Sequence, residues 1–398
     1  MLAAVAKGKS RIRHILASAD VLSTADVLRA LGAAIPPFAE DLVVTGQSPR
    51  HLKSPPAPLD CGNSGTTARL MAGVVAGAGL TAEFRGDASL SRRPMRRVAE
   101  PLTRMGAAVR LSPTGGLPMT VTGGPLQAIE WDSPVASAQI KSSILLAAVL
   151  GGVPATIREP HRSRDHTEHM LNCRGVAVHV HGDTIAVDAA QVVRPADIDV
   201  PADPSAAAFF VALAMLADSG ELRMTDVCLN PTRTGLLEAL RRMGGRLEVG
   251  DRREEGGEHV GSIVARPSQL RGIDVSAEDV PSMIDELPLL ACVAARAEGV
   301  TTVRGAGELR VKESDRIATI VNNLRALGAD AREFEDGFEV TGSRAALRGR
   351  VTTEGDHRIA MSFGVLSVLP GNAIEVTKPD CVAVSYPDYW QHLQSACQ

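Results

Sequence analysis

Aromatic side chains are scarce in this chain: two Trp, two Tyr and seven Phe among 398 residues. The core must therefore be built from Ala, Val, Leu and Ile. A basic excess is also missing. The formal net charge is −4, which argues against a general nucleic-acid binder. The six cysteines, Cys61, Cys173, Cys228, Cys292, Cys381 and Cys397, are scattered and include no CxxC pair. They exclude a disulfide framework and read as thiols in a reducing compartment, so the cytoplasm is the expected location. No apolar run is long enough to cross a bilayer, so no membrane association is expected. With 44% hydrophobic and 22% charged residues, the composition is that of a globular protein of two domains or one large one.

What is present is a hidden repeat. A helix end of the form Leu-x-x-x-Gly, followed by small residues and a strand-like stretch, begins at Leu28, Leu102, Leu171, Leu240 and Leu324. Each glycine suits a left-handed helix terminus. The spacing of roughly 70 to 80 residues is too long for a small solenoid repeat and fits a reused supersecondary unit of two helices and several strands. "VGDRREEGGEHVG" reads as an exposed hairpin loop, and "DVPADPSAAAFF" as a domain crossing that leads into a helix. The boundary is placed near Pro201, giving domains 1–201 and 202–398.

The chain opens with "MLAAVAKGKSRIR". Its basic residues Lys7, Lys9, Arg11 and Arg13 follow the apolar run, the reverse of a secretory signal. A frayed terminus and a transit peptide are the other local readings. Ser18, Asp20 and Ser23 offer caps for a helix carrying Val21, Ala25, Leu28 and Leu31, closed by Gly32.

Several stretches combine small polar residues with Arg and Lys. "DCGNSGTTARL" is a small-residue loop running into a helix; it can present N–H groups to an anion, or simply be a capped turn. It has no GK[ST] and is not a P-loop. "SLSRRPMRR" puts Arg92 and Arg93 before Pro94, which suits a first helical turn; an Arg there opposes the helix dipole unless an anion binds. "SAQIKSS" begins a buried helix with polar Ser137, Gln139 and Lys141; the Ser and Gln read as caps or as contacts to a polyhydroxylated ligand. "PHRSRDHTEHML" holds His161, His166 and His169, but without an HExxH arrangement. Arg164 and Asp165 fit anion binding and N-capping better than a metal site. "IDELPLL" sets Asp285 and Glu286 at the head of an apolar run, as caps or as a base held against a buried face. "LRVKESDRI" is either a solvated helix face with ion pairs or an anion site, since Lys312 and Arg316 would share one face. "GDHRIAM" adds His357 and Arg358 before another apolar helix. Cations recurring at helix starts in an acidic chain point to a substrate bearing phosphate and carboxylate groups.

"GNSGTTARL", "RRPM", "SAQIKSS", "SRDHTE", "NPTRTG", "IDELPLL", "LRVKESDRI" and "DHRIAM", in this order, resemble the signature segments of the 5-enolpyruvylshikimate-3-phosphate synthase family. The likeness runs from about Ala6 to "SYPDYW". "NPTRTG" and "SRDHTE" resemble the bacterial class with low glyphosate sensitivity. The resemblance implies an α/β (α+β) fold of two inside-out α/β barrels, each of three βαβαββ units, with the active site in the cleft between them. It implies a transferase of the shikimate pathway that moves the enolpyruvyl group of phosphoenolpyruvate to the 5-hydroxyl of shikimate 3-phosphate. Neither cofactor nor metal is implied, and a monomer is the default. Carried over by motif, Asp285 is the base and Glu313 handles protons at the methylene carbon. Gly65, Arg93, Gln139, Arg316 and Arg358 would hold phosphoenolpyruvate. Ser137, Ala138 (through its backbone), Gln139, Arg164, Asp285 and Lys312 would hold shikimate 3-phosphate.

Three departures from the family pattern stand out. Val384 occupies a place where Lys is common. Gly65 stands where Ala is found in strongly glyphosate-insensitive members, so glyphosate is not expected to be excluded by this residue. The family's opening strand and "PGDKSxSxR" loop would precede Met1, and this predicts weak or absent turnover. The alternatives are UDP-N-acetylglucosamine enolpyruvyl transferase, disfavoured because no cysteine lies near "GDASLSRRPM", a non-catalytic anion-binding form of the same scaffold, and a metal hydrolase built on the histidines.

Overall fold

The Leu-x-x-x-Gly signature has a single structural cause. In the computed structural model, which describes residues 1–397, all five glycines lie at positive φ: Gly32, Gly106, Gly175, Gly244 and Gly328 at 88°, 104°, 76°, 91° and 90°. At each one, the N–H of the residue after the glycine reaches back to the carbonyl of the repeat leucine. Ala33 to Leu28, Ala107 to Leu102, Val176 to Leu171, Gly245 to Leu240 and Ala329 to Leu324 span 2.8–3.0 Å. Each glycine N–H bonds the carbonyl three residues before it. These are paired Schellman closures, and the leucine they bind is buried every time. In four of the five a strand follows at once: Ala108–Arg110, Val178–His181, Arg246–Glu255 and Asp330–Phe334. The first is an exception. Pro36 and Pro37 lack the N–H groups that a ladder needs, and the strand begins only at Asp41.

Three sheets repeat one topology. In the first, Leu59–Asp60 pairs parallel with Thr81–Arg85, which pairs antiparallel with Met119–Thr122 and so on to Ala108–Arg110. The same order recurs in Ile129–Asp132, Ala155–Arg158, Thr184–Val187 and Val178–His181. It recurs again in Asp274–Val275, Val300–Val303, Gly337–Thr341 and Asp330–Phe334. A helix follows each of the first three strands except the last before its hairpin, which is the βαβαββ unit. The chain divides into two compact units. One comprises Met1–Val200 with Glu255–Gly257; the other comprises Pro201–Glu254 and the chain from Glu258 on.

Within each unit the helices lie inside and the sheets outside. Every residue from Ile140 to Val149 of the helix Ala138–Gly151 is buried, as are all eight of Leu287–Ala294. Helices apolar on every side belong in a core. Several strands bury one face only, as Asp41–Gly46 does in strict alternation. The few aromatic rings concentrate in the second unit, where Phe209, Phe210, Tyr386, Tyr389 and Trp390 meet edge to face.

Two local expectations change. The acidic "VGDRREEGGEHVG" segment is mostly strand: Arg246–Glu255 and Glu258–Arg266 pair through a two-residue turn, Gly256–Gly257, with φ of 59° and 82°. The opening residues are not frayed. Leu2–Val5 form a buried helical turn and Gly8–Arg13 a strand paired with Asp41–Gly46.

The helices Gly65–Gly77 and Ala138–Gly151 approach backbone to backbone at Gly73, where a methyl group would run into the Ser143 carbonyl. Gly73→Ala is expected to destabilise the fold by about 1–3 kcal/mol through overpacking, seen as a lower urea midpoint with an unchanged slope.

Candidate active site

In the second unit the candidate residues gather around one buried guanidinium. Asp356 caps the helix His357–Ser367, its Oδ1 accepting from the Arg358 N–H at 2.9 Å. The same carboxylate grips Arg316 with both oxygens: Nε donates to Oδ2 at 2.8 Å and Nη2 to Oδ1 at 3.2 Å. Ser314 Oγ donates to Oδ2 at 3.0 Å. Arg316 is 1% exposed and Asp356 0%. Arg316 also donates from Nη2 to Glu313 Oε2 at 2.7 Å and from Nη1 to Asp285 Oδ1 at 3.2 Å. Lys312 Nζ lies 3.7 Å from that same Asp285 oxygen. Arg358 Nη1 is 3.9 Å from Oε1 of the buried Glu286.

This electrostatic environment is strong. Burial alone would raise the Asp356 pKa, but the Arg316 charge and its hydrogen bonds outweigh it and bring the value down to about 2. Arg316 is likewise held firmly cationic: its carboxylates, Asp356 first, overcome the cost of burial. His357 goes the other way. Burial first, then the neighbouring Arg358 charge, lower it to about 4.

The local fold differs from a solvated helix face. Gly307–Val311 is a 3-10 turn, Lys312 is extended, and the helix Arg316–Ala326 starts only after Asp315, whose Oδ1 caps it by accepting from the Ala318 N–H. Lys312 and Arg316 therefore do not share a helical face; they converge on Asp285.

In the first unit, Ser64 caps the helix Gly65–Gly77, its Oγ accepting from the Thr67 N–H at 3.2 Å. Arg69, one turn in, donates to Gln139 Oε1 at 2.5 Å and to the Pro94 carbonyl at 3.3 Å. Gln139 Nε2 donates to Thr66 Oγ1 at 2.9 Å. Arg93 Nη2 donates to Asn63 Oδ1 at 2.7 Å, and Asn63 in turn donates to Asp87. A Cβ placed on Gly65 would stand 3.3 Å from Nη1 of both Arg69 and Arg93. Gly65, Arg93 and Gln139 are thus brought together, and Ser137 and Ala138 stand at the start of the helix that bears Gln139. Arg164 lies on the segment between the strand Ala155–Arg158 and the helix His166–Cys173.

Lys141 is buried between Glu159 at 2.9 Å and Glu168 at 2.7 Å. Two sequence expectations are corrected in this unit. Arg92 ends the helix Ala88–Arg92, where its charge suits the dipole, and Pro94 lies in the connection before Arg96–Arg104 rather than in a first turn. Asp165 precedes the helix His166–Cys173 without capping it, pairing instead with Arg162 at 2.8 Å and His169 at 3.4 Å. Among the described residues no three His, Cys, Asp or Glu side chains are grouped to hold a metal.

Sequence reasoning missed Asp356 and Arg69, the two residues on which these clusters hang. Asp356 had a readable signal, an Asp immediately before a helix. Arg69 is hidden among helix positions that read as core or solvated face.

The family model described as EPSP synthase (3-phosphoshikimate 1-carboxyvinyltransferase) matches residues 1–393. The chain is 41% identical to 3-phosphoshikimate 1-carboxyvinyltransferase of Bacillus subtilis (strain 168), covering 99% of this chain and 92% of that protein. It is 43% identical to the enzyme of the same name from Sulfurihydrogenibium sp. (strain YO3AOP1), covering 99% and 93%. The solved structure of EPSP synthase from Acinetobacter baumannii superposes with a TM-score of 0.87 at 38% identity, covering 100% of this chain and 92% of that one. The enolpyruvyl transferase NikO from Streptomyces tendae, at 20% identity and a TM-score of 0.77, shares the fold.

Because His357 is buried neutral, the unfolded chain takes up its proton near pH 6.5 while the folded chain does so only near pH 4. Its contribution to stability is complete above pH 6.5 and lost as pH falls toward 4, with a slope of at most about 1.4 kcal/mol per pH unit. Urea midpoints measured from pH 7 to pH 4 should fall, and His357→Gln should flatten that fall.

Proposed function

This chain belongs to the EPSP synthase family, and we propose that Asp285 is the base of its reaction and Arg316 the switch that frees it. The enzyme is a transferase. It moves the enolpyruvyl group of phosphoenolpyruvate to the 5-hydroxyl of shikimate 3-phosphate and releases phosphate, in the shikimate pathway to aromatic amino acids. Nothing in the comparisons supports an impaired or purely anion-binding form.

One observation carries the mechanistic reading: Arg316 meets Asp285, Glu313 and Asp356 at once. Asp356 holds Nε and keeps the guanidinium in place. Asp285 and Glu313 occupy the Nη groups, where the carboxylate or phosphate of phosphoenolpyruvate would bind bidentately. An arriving anion replaces the carboxylates there. Asp285, released from Arg316 and oriented by Lys312, then accepts the proton of the 5-hydroxyl as that oxygen attacks the phosphate-bearing enol carbon of phosphoenolpyruvate. Glu313, adjoining the same site, delivers and later removes the proton at the methylene carbon. Arg358 takes part in holding phosphoenolpyruvate from the first turn of its helix. The preorganised cations stabilise charge gathering on the departing phosphate.

The first-unit cluster supplies the remaining contacts in this reading. Gly65, Arg93 and Gln139 hold phosphoenolpyruvate. Ser137, the Ala138 backbone, Gln139, Arg164, Asp285 and Lys312 are assigned to shikimate 3-phosphate. We place the enzyme in the cytoplasm, acting as a monomer; its scattered cysteines, with Cys61, Cys228 and Cys292 buried, support a reducing compartment.

Phosphate release requiring both substrates, at roughly 1–1000 per second, is the expected result, and its absence would sink the assignment. Asp285→Asn should lower kcat by about 10²–10⁴-fold while leaving the unfolding midpoint near that of the parent. Gly65→Ala should weaken glyphosate inhibition and raise the KM for phosphoenolpyruvate, because its methyl group would press on both guanidinium groups. An unchanged inhibition constant would count against Gly65 as the determinant.

A further inference from the structure

We propose that the buried Lys141–Glu159–Glu168 triad is a positioning device for shikimate 3-phosphate, locking the Arg164 segment to the helix start that carries Ser137 and Gln139. The inference rests on the binding roles proposed above for Arg164, Ser137 and Gln139.

The geometry is specific. Lys141 lies about one turn into the helix Ala138–Gly151 and is 1% exposed. Its Nζ donates to Glu159 Oε2 at 2.9 Å, pairs with Glu168 Oε1 at 2.7 Å and reaches the Ser163 carbonyl at 3.5 Å. Glu159 doubles the tie to Ser163: its Oε1 accepts from Ser163 Oγ at 2.5 Å and its Oε2 from the Ser163 N–H at 3.3 Å. One ammonium group therefore binds residues 159, 163 and 168, on both sides of Arg164 and immediately before it. A second tie runs alongside it, between the hydroxyls of Ser142 and Thr167 at 2.7 Å.

Stability alone is a poor reason for such a cluster. Two buried carboxylates face one ammonium, and burial pushes the Glu168 pKa up despite Lys141 beside it. Apolar side chains of similar volume often replace buried ion pairs with no loss of stability. Apolar packing lacks direction, however. Three hydrogen bonds at fixed angles set the distance between the Arg164 segment and the helix start, and misplacing a binding group by about 1 Å can cost 10²-fold. Of the residues the triad ties together, Ser137 and Arg164 are assigned to shikimate 3-phosphate alone and Gln139 to both substrates, so its loss should fall more heavily on shikimate 3-phosphate.

The test compares three variants with the parent chain. Lys141→Met breaks the ammonium links. The neutral set Lys141→Met with Glu159→Gln and Glu168→Gln removes all three charges, so that no buried charge is left alone. Ser163→Ala trims the segment and keeps the charges. The first two are expected to raise the KM for shikimate 3-phosphate roughly 10- to 100-fold, with the KM for phosphoenolpyruvate within about 3-fold of the parent. Ser163→Ala should shift the same constant in the same direction by a smaller factor. Calorimetric titration of shikimate 3-phosphate alone reads the same loss without turnover. An unchanged KM in folded Ser163→Ala and neutral-set proteins, or an equal rise for both substrates, would overturn the proposal. Failure of the parent chain to release phosphate would instead overturn the functional assignment, and the titration would still decide whether the triad governs binding.

Discussion

The bidentate grip of Asp356 on Arg316 is the interaction on which the second unit's chemistry depends. A fully buried guanidinium is tolerable only when its charge is answered, and Asp356 answers it from the cap of another helix. This one carboxylate closes the start of His357–Ser367, fixes Arg316 at the start of Arg316–Ala326, and through Arg316 draws Glu313 and Asp285 to the same point. Removing one partner of such a pair typically costs about 3–5 kcal/mol, because the other charge is stranded. The candidate site is therefore coupled to the fold: the residue that holds Arg316 also holds a core helix.

The two units solve the positioning problem differently. In the second, charge gathers charge around one arginine. In the first, arginines meet uncharged amide oxygens near Gly65, where Arg69 orients the Gln139 amide and Asn63 orients Arg93. The charged cluster of that unit is set back from these residues, around Lys141. A glycine at position 65 leaves both arginine side chains undisturbed, and the cap formed by Ser64 fixes the backbone there.

Much of the fold was legible because its signals are local. The five Leu-x-x-x-Gly ends depend on a left-handed residue and one buried leucine, and both are written within five positions. The first repeat's delayed strand was legible too, had Pro36 and Pro37 been weighed against the repeat. The candidate residues were found through family motifs, whereas their arrangement was not readable. Lys312 and Arg316 looked like neighbours on a helix, and only the extended backbone at Lys312 shows that they meet at Asp285 instead. The burial of Lys141 as an ion pair was not readable because its partners, Glu159 and Glu168, lie 18 and 27 positions away and no local rule pairs them. Asp356 was passed over because a cap residue gives no hint that its other oxygen serves a distant side chain.

The inside-out layering bears on how these side chains move. Gly65, Gln139 and Arg358 sit in the first turns of helices whose bodies are buried. Hydrogen-bonded amide groups in such helix bodies exchange with solvent only when a large part of a unit opens, whereas first-turn N–H groups have no intrahelical partner. The helix bodies beneath the site are thus expected to exchange slowly, and adaptation to substrates within a unit is expected to come from side-chain torsions rather than from melting of those bodies.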